Sequence, residues 1–203
     1  MKRAGLEKAR ARLADAFAAF ESLKTAQDWR DFESGWTRLL SALNAAYQIL
    51  GDSARGNPKS VGWFSKVLGQ RRADDLLSYM MHARNANDHG IEEVIKLQFG
   101  GLGIGAPGAH VYIEKLRLGP GGKILELCGS EDGGKPLTVA YYPPRVHLVP
   151  VTDRGVTYQP PKTFLNKPIA DTSPLAVAHE VLQFMVILFG EAEGLIVETQ
   201  PRN

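Results

Sequence analysis

Between residues 29 and 50, Trp29, Phe32, Trp36, Leu39, Leu40, Leu43, Tyr47 and Leu50 recur mostly at intervals of three and four. On an α-helix those intervals place all eight on one face for about six turns. A stripe that long needs partner helices to cover it, and the neighbouring sequence supplies them. Leu6, Leu13, Phe17 and Phe20 predict a helix over 6–24. Val61, Trp63, Phe64, Val67 and Leu68 mark a shorter segment over 60–68, and Leu76, Leu77 and Met80 face inward from a helix starting near Arg72. Gly51 is a natural stop, followed by a polar loop from Asp52 to Pro58. Residues 91–99, with Ile91, Val94, Ile95 and Leu97, continue the last helix after a break. Trp29, Trp36 and Trp63 are spaced as core residues, and the whole segment reads as a helical bundle.

Near residue 100 the pattern changes. The run Gly100 to Gly108 reads as a linker. His110–Leu118, Lys123–Cys128, Leu137–Tyr142 and Arg145–Thr152 then alternate with glycine-rich turns, which are antiparallel hairpin signals. Asp153-Arg154-Gly155 is a tight turn into Val156–Tyr158, and a proline-rich connection covers 159–169. Asp171-Thr172-Ser173-Pro174 opens a final helix, apolar almost all round and therefore expected to lie between sheet and bundle, with Gly190 ending or kinking it. The fold class expected is α+β: a helical bundle over 1–98, then a small antiparallel β domain with a C-terminal helix over 109–203.

A formal net charge of +2 supplies no global field for nucleic acid, so any such partner depends on a local patch. Cys128, the single cysteine, excludes an intrachain disulfide or a thiolate zinc cluster within one chain, and ending a strand it reads as a small buried residue. The charged N-terminus has no apolar signal region, and the most apolar run, Leu175–Phe189, is short for a bilayer and contains His179, Glu180 and Gln183. The expectation is a cytoplasmic protein with no membrane partner and no cofactor or metal.

The most specific chemical suggestion is Arg84-Asn85-Ala86-Asn87-Asp88-His89-Gly90. A guanidinium can hold a phosphate with its planar fork of donors, and an imidazole moves protons near neutrality. Positions five apart on a helix point about 140° from each other, so both side chains meet one substrate only if the helix unwinds near 86–89. Asn87, Asp88 and Gly90 permit that unwinding. The plain alternative is helix C-capping, since Arg and His also suit the last carbonyls.

Arg84-Asn85-x-x-x-His89 on the late helix of an N-terminal bundle resembles the HEPN superfamily, over about the first 100 residues. Ribonuclease members carry an Arg, four to six residues, then a His, often with a polar residue after the Arg. The resemblance implies His89 as general acid/base, Arg84 as phosphate or transition-state ligand and Asn85 as a supporting polar group. Ile91 stands where several members carry an aromatic residue. The implied activity is metal-independent cleavage of single-stranded RNA by a homodimer with two motifs facing one cleft, as a defence or toxin component with a protein partner or antitoxin. The alternative is a non-catalytic dimeric binding or assembly module that keeps the scaffold.

Other motifs are weaker. Gly103-x-Gly105-x-x-Gly108 matches a dinucleotide fingerprint literally, but a helix precedes it and a strand follows. His179-Glu180 lacks the second His of a zinc protease, Gln183 standing there, and reads as a buried or interfacial polar pair. Tyr141-Tyr142-Pro143-Pro144 with Arg145 and His147 could stack on RNA or cover a sheet face. Lys2, Arg3, Lys8, Arg10 and Arg12 form a basic side of the first helix, most simply a solvated one.

Overall fold

Apart from the first, the helices begin where the sequence supplies an acceptor for their first free amide groups. Helix α1 (Arg3–Lys24) lacks such a side-chain cap, whereas α2 (Trp29–Ala54) is capped by Asp28, whose carboxylate accepts from the Asp31 N–H. Helix α3 (Pro58–Ala73) is capped by Asn57, with Pro58 in its first turn. Helix α4 (Asp75–His89) follows Asp74, whose Oδ1 accepts from the Leu77 N–H at 2.9 Å. This computed structural model describes residues 1–89 and 93–196, the side chains of residues 88 and 89 excepted.

After α4 the chain forms short strands: β1 (Ile95–Gln98), β2 (Gly101–Ile104), β3 (Val111–Leu118), β4 (Ile124–Glu131), β5 (Lys135–Pro136) and β6 (Val139–Tyr142). Then come β7 (Arg145–Leu148), β8 (Val151–Asp153), β9 (Val156–Tyr158), β10 (Thr163–Phe164) and β11 (Lys167–Pro168). The last element is α5 (Pro174–Glu193), begun by Ser173, whose hydroxyl accepts from the Ala176 N–H, with Pro174 at its first position. The architecture is thus an N-terminal helical bundle, an open antiparallel β region and a C-terminal helix, the α+β class expected from the sequence.

Contacts group the chain into two compact units, residues 1–96 with 146–203 and residues 97–145. This differs from a division at 98 and 109. Helix α5 belongs with the bundle because its apolar side completes that core: Val177, Val181, Met185, Leu188 and Phe189 are buried in one cluster with Leu6, Trp36, Leu40, Leu50, Leu76 and Tyr79. The helix is long and apolar enough to cross a membrane, and half of that apolar window is buried inside the protein. It is not enclosed all round, since Val186 and Ile187 are exposed. Gly190 neither ends nor interrupts it.

In the smaller unit β2 pairs antiparallel with β6, and β3, β4 and β5 form a three-stranded antiparallel sheet. Glu131, almost fully buried, accepts from the Thr138 hydroxyl and the Ala106 N–H, each at 2.7 Å, and so ties the loop after β2 to the end of β4. The supposed glycine linker is therefore partly a strand. Its small residues let Tyr142 lie close over Gly103, where a Cβ would come 3.0 Å from the ring.

Several local expectations change for physical reasons. Helix α2 runs past Gly51 to Ala54, because this glycine serves a close approach: a Cβ there would lie 2.5 Å from the Phe64 ring of α3. The turn comes at Gly56, with φ +90°. The continuation of the last helix over 91–99 is instead strand β1 from Ile95, residues 90–92 lying outside the described residues. The strand expected over 145–152 is interrupted at Pro150 and becomes β7 and β8. Cys128, His179 and Glu180 are exposed, not buried. Trp36 is core, while Trp29 and Trp63 are partly buried against it.

Asp74 also accepts from the Leu165 N–H at 2.7 Å, in the turn of the β10–β11 hairpin. Leu165 and Asn166 both have positive φ there, a strained conformation for leucine that the bond helps to hold. Asp74→Ala should remove cap and anchor together and lower unfolding free energy by about 1–3 kcal/mol. A urea titration reads this as a fall in midpoint, and an unchanged midpoint would show that neither bond contributes.

Candidate functional site

Helix α4 buries Leu76, Leu77, Tyr79, Met80, Ala83 and Ala86, which leaves two polar flanks on either side of the apolar face. The small Ala83 and Ala86 let its C-terminal half sit close to the core. On one flank, Ser78, His82 and Asn85 follow one another at helical spacing. Arg84 stands on the other.

The first flank meets the β8–β9 hairpin. Asp153 ends β8 at the tight turn expected from the sequence, where Arg154 and Gly155 both take positive φ. Its Oδ2 lies 2.7 Å from His82 Nδ1 and accepts from Asn85 Nδ2 at 2.8 Å. The His82 ring is stacked on Tyr158 of β9, with centroids 3.5 Å apart and planes 11° apart. His82 and Asp153 side chains are 16% and 11% exposed, so the pair is largely withdrawn from water. Hydrogen bonds from Asn85 and His82 hold the Asp153 carboxyl below the ordinary carboxylate range, and the charges of His82 and Arg154 add to this.

This is a carboxylate-oriented imidazole. When Nδ1 carries the proton toward Asp153, Nε2 is left as an acceptor, the arrangement a general base requires. The sequence suggests no site role for His82, Asp153 or Tyr158, although it places Asp153 in a tight turn before Tyr158. His82 lies three residues before Asn85 on one helix flank, a readable signal, but its partners are about seventy residues away and no local pattern announces them.

On the other flank, Arg84 donates to Asn85 Oδ1 at 3.4 Å. It lies close enough to Arg71, in the last turn of α3, for its charge to make Arg71 less basic, adding to the larger effect of burial. Arg71 sits over the Tyr47 ring at 4.2 Å and donates to Asn44 Oδ1 at 3.5 Å.

The unwinding expected near 86–89 does not occur, since α4 stays helical through His89. Asn85 and Asn87 would compete for their own backbone if their side chains were free. Here Asn85 is bonded to Asp153, and Asn87 accepts from the Thr37 hydroxyl of α2 at 3.3 Å. Residues 84 and 89 therefore lie about 140° apart around the helix axis. The structure brings Asn85 to His82 through Asp153 and places Arg84 beside Arg71; the His89 side chain lies outside the described residues. Among the described residues no group of three or more His, Cys, Asp or Glu side chains could hold a metal.

Comparison of the chain with protein-family models, with curated proteins and with solved structures finds no match.

Because Asp153 is more acidic folded than unfolded, its ionised form stabilises the fold above the unfolded carboxyl value. That contribution is lost as pH falls through the depressed folded value. Unfolding free energy should thus decline below about pH 4, and Asp153→Asn should flatten that decline. An identical acid slope in the variant would show that Asp153 does not contribute to it.

Proposed function

We propose that the protein is a metal-independent endoribonuclease of HEPN type, acting on single-stranded RNA as a homodimer. The observation that carries this reading is the position of Arg84-Asn85-x-x-x-His89 on the last turns of the last bundle helix, with Arg71 adding positive charge beside Arg84. In the reaction the 2′-hydroxyl attacks the neighbouring phosphorus, a base removes its proton, and the leaving 5′-oxygen gains one. Arg84 stabilises charge on the non-bridging oxygens and His89 transfers protons. A continuous helix points positions 84 and 89 in different directions, so one chain does not offer both to one phosphate. Two copies packed across a two-fold axis do, with Arg84 from one and His89 from the other. A protein partner that restrains the activity fits a toxin-like role.

A second reading has its own support. Asn85, the supporting polar group of the motif, is engaged by Asp153 in holding the β8–β9 hairpin. That suits a non-catalytic dimeric binding or assembly module in which the motif is architecture.

The two separate in one assay. Purified protein should cleave single-stranded RNA in EDTA, and His89→Ala or Arg84→Ala should slow it by on the order of 10²-fold or more. No cleavage, or equal rates in wild type and both variants, would discard the nuclease and leave the assembly module. Loss of activity in His82→Ala with retention in His89→Ala would move the chemistry to the Asp153-held imidazole.

A further inference from the structure

Helices α2 and α3 leave between them a groove of about 530 Å³, within the range of about 300–1,000 Å³ common for small-molecule sites. Val61, Phe64 and Leu68 form an apolar wall from α3, while Tyr47 and Gln48 of α2 and Arg71 supply the polar side. Gly51 allows the Phe64 ring to stand against α2.

Two donors here are poorly supplied with acceptors. Tyr47 is 4% exposed, and its hydroxyl is buried without a hydrogen-bond partner among the described residues. Burial raises its pKa, so the group remains a donor. Arg71 is half-buried over the Tyr47 ring, and its one hydrogen bond among the described residues is the long one to Asn44. A guanidinium has five N–H donors and no acceptor of its own. The nearby carboxylates are otherwise engaged. Asp74 accepts from the Leu77 and Leu165 N–H groups, and Asp52 pairs with Arg55 at 3.0 Å.

We propose that this groove binds a small organic carboxylate with a flat apolar body. The carboxylate accepts from the Arg71 guanidinium and, once the ring turns outward to bring it within reach, from the Tyr47 hydroxyl, which is closed to solvent in the unliganded chain; the body lies against Phe64, Val61 and Leu68. A carboxylate matches the planar fork of arginine in shape and its single charge in number. A phosphate dianion would bring excess charge against apolar walls and be penalised for its lost hydration. The proposal does not depend on RNA cleavage.

Isothermal titration of the full chain with benzoate, benzyl alcohol and inorganic phosphate tests it. Benzoate should bind saturably with 1:1 stoichiometry, benzyl alcohol and phosphate much more weakly. Arg71→Gln should weaken benzoate by about tenfold or more. Tyr47→Phe should weaken it several-fold without lowering the thermal midpoint, because the variant deletes only a hydroxyl that lacks an acceptor. Benzoate that does not saturate by about 10 mM, phosphate that binds better, or an unchanged benzoate affinity in Tyr47→Phe would each overturn the assignment. The Tyr47→Phe result decides the matter even where Arg71→Gln fails to fold.

Discussion

Three carboxylates along α4 hold the returning chain to the bundle. At its N-terminal end, Asp75 Oδ2 accepts from the backbone of Lys162 at 2.7 Å and Thr163 at 3.1 Å, and Asp74 accepts from Leu165. In its C-terminal half, Asp153 reaches in from the β8–β9 turn to Asn85 and His82. Short irregular segments such as 159–169 have few partners for their own N–H groups, and each left unsatisfied in a buried place costs about 1–3 kcal/mol. Ionised acceptors make the stronger hydrogen bonds, so a few well-placed aspartates can fix strands too short to hold one another. Helix α4 acts as the post to which β8–β11 are tied, and the His82–Asp153 pair and the Arg84 segment lie along it.

That same tying determines what the Arg84–His89 segment can do. Asparagines near a helix end ordinarily divert the backbone into a turn. With Asn85 bonded to Asp153 and Asn87 to Thr37, that tendency has no outlet, and the helix extends to His89. In a continuous helix positions 84 and 89 stand about 140° apart around the axis, so the backbone does not set them on one face. The catalytic and architectural readings differ in what completes the cleft, not in the fold of the helix.

The helical half was legible because its signals are local. The stripe from Trp29 to Leu50 and the Ser173-Pro174 start act within a few residues, and α2 and α5 formed over them, while α3 runs well beyond the segment expected over 60–68. What failed depended on partners distant in the chain. Gly51 looked like a stop because glycine often ends helices, yet it marks where Phe64 comes close. The stretch 100–108 looked like a linker because its glycines carry no pattern, while β2 is held by backbone bonds to β6. The Asp153–His82 pair and the Arg71–Tyr47 stack join residues that no periodicity connects.

A cation near the last turn of a helix interacts well with its carbonyls, and Arg71 has that place at the end of α3. Arg71 comes from α3, is partly withdrawn from water, and lies in the repulsive field of Arg84. Burial and a neighbouring like charge both oppose its ionisation, yet a guanidinium stays charged under such conditions. The Tyr47 ring face offers some compensation through a cation–π contact, about 0.5–2 kcal/mol by its usual range. An anion received by Arg71 lessens the repulsion between the two arginines, and by linkage whatever alters the charge around Arg84 alters the hold of Arg71 on that anion.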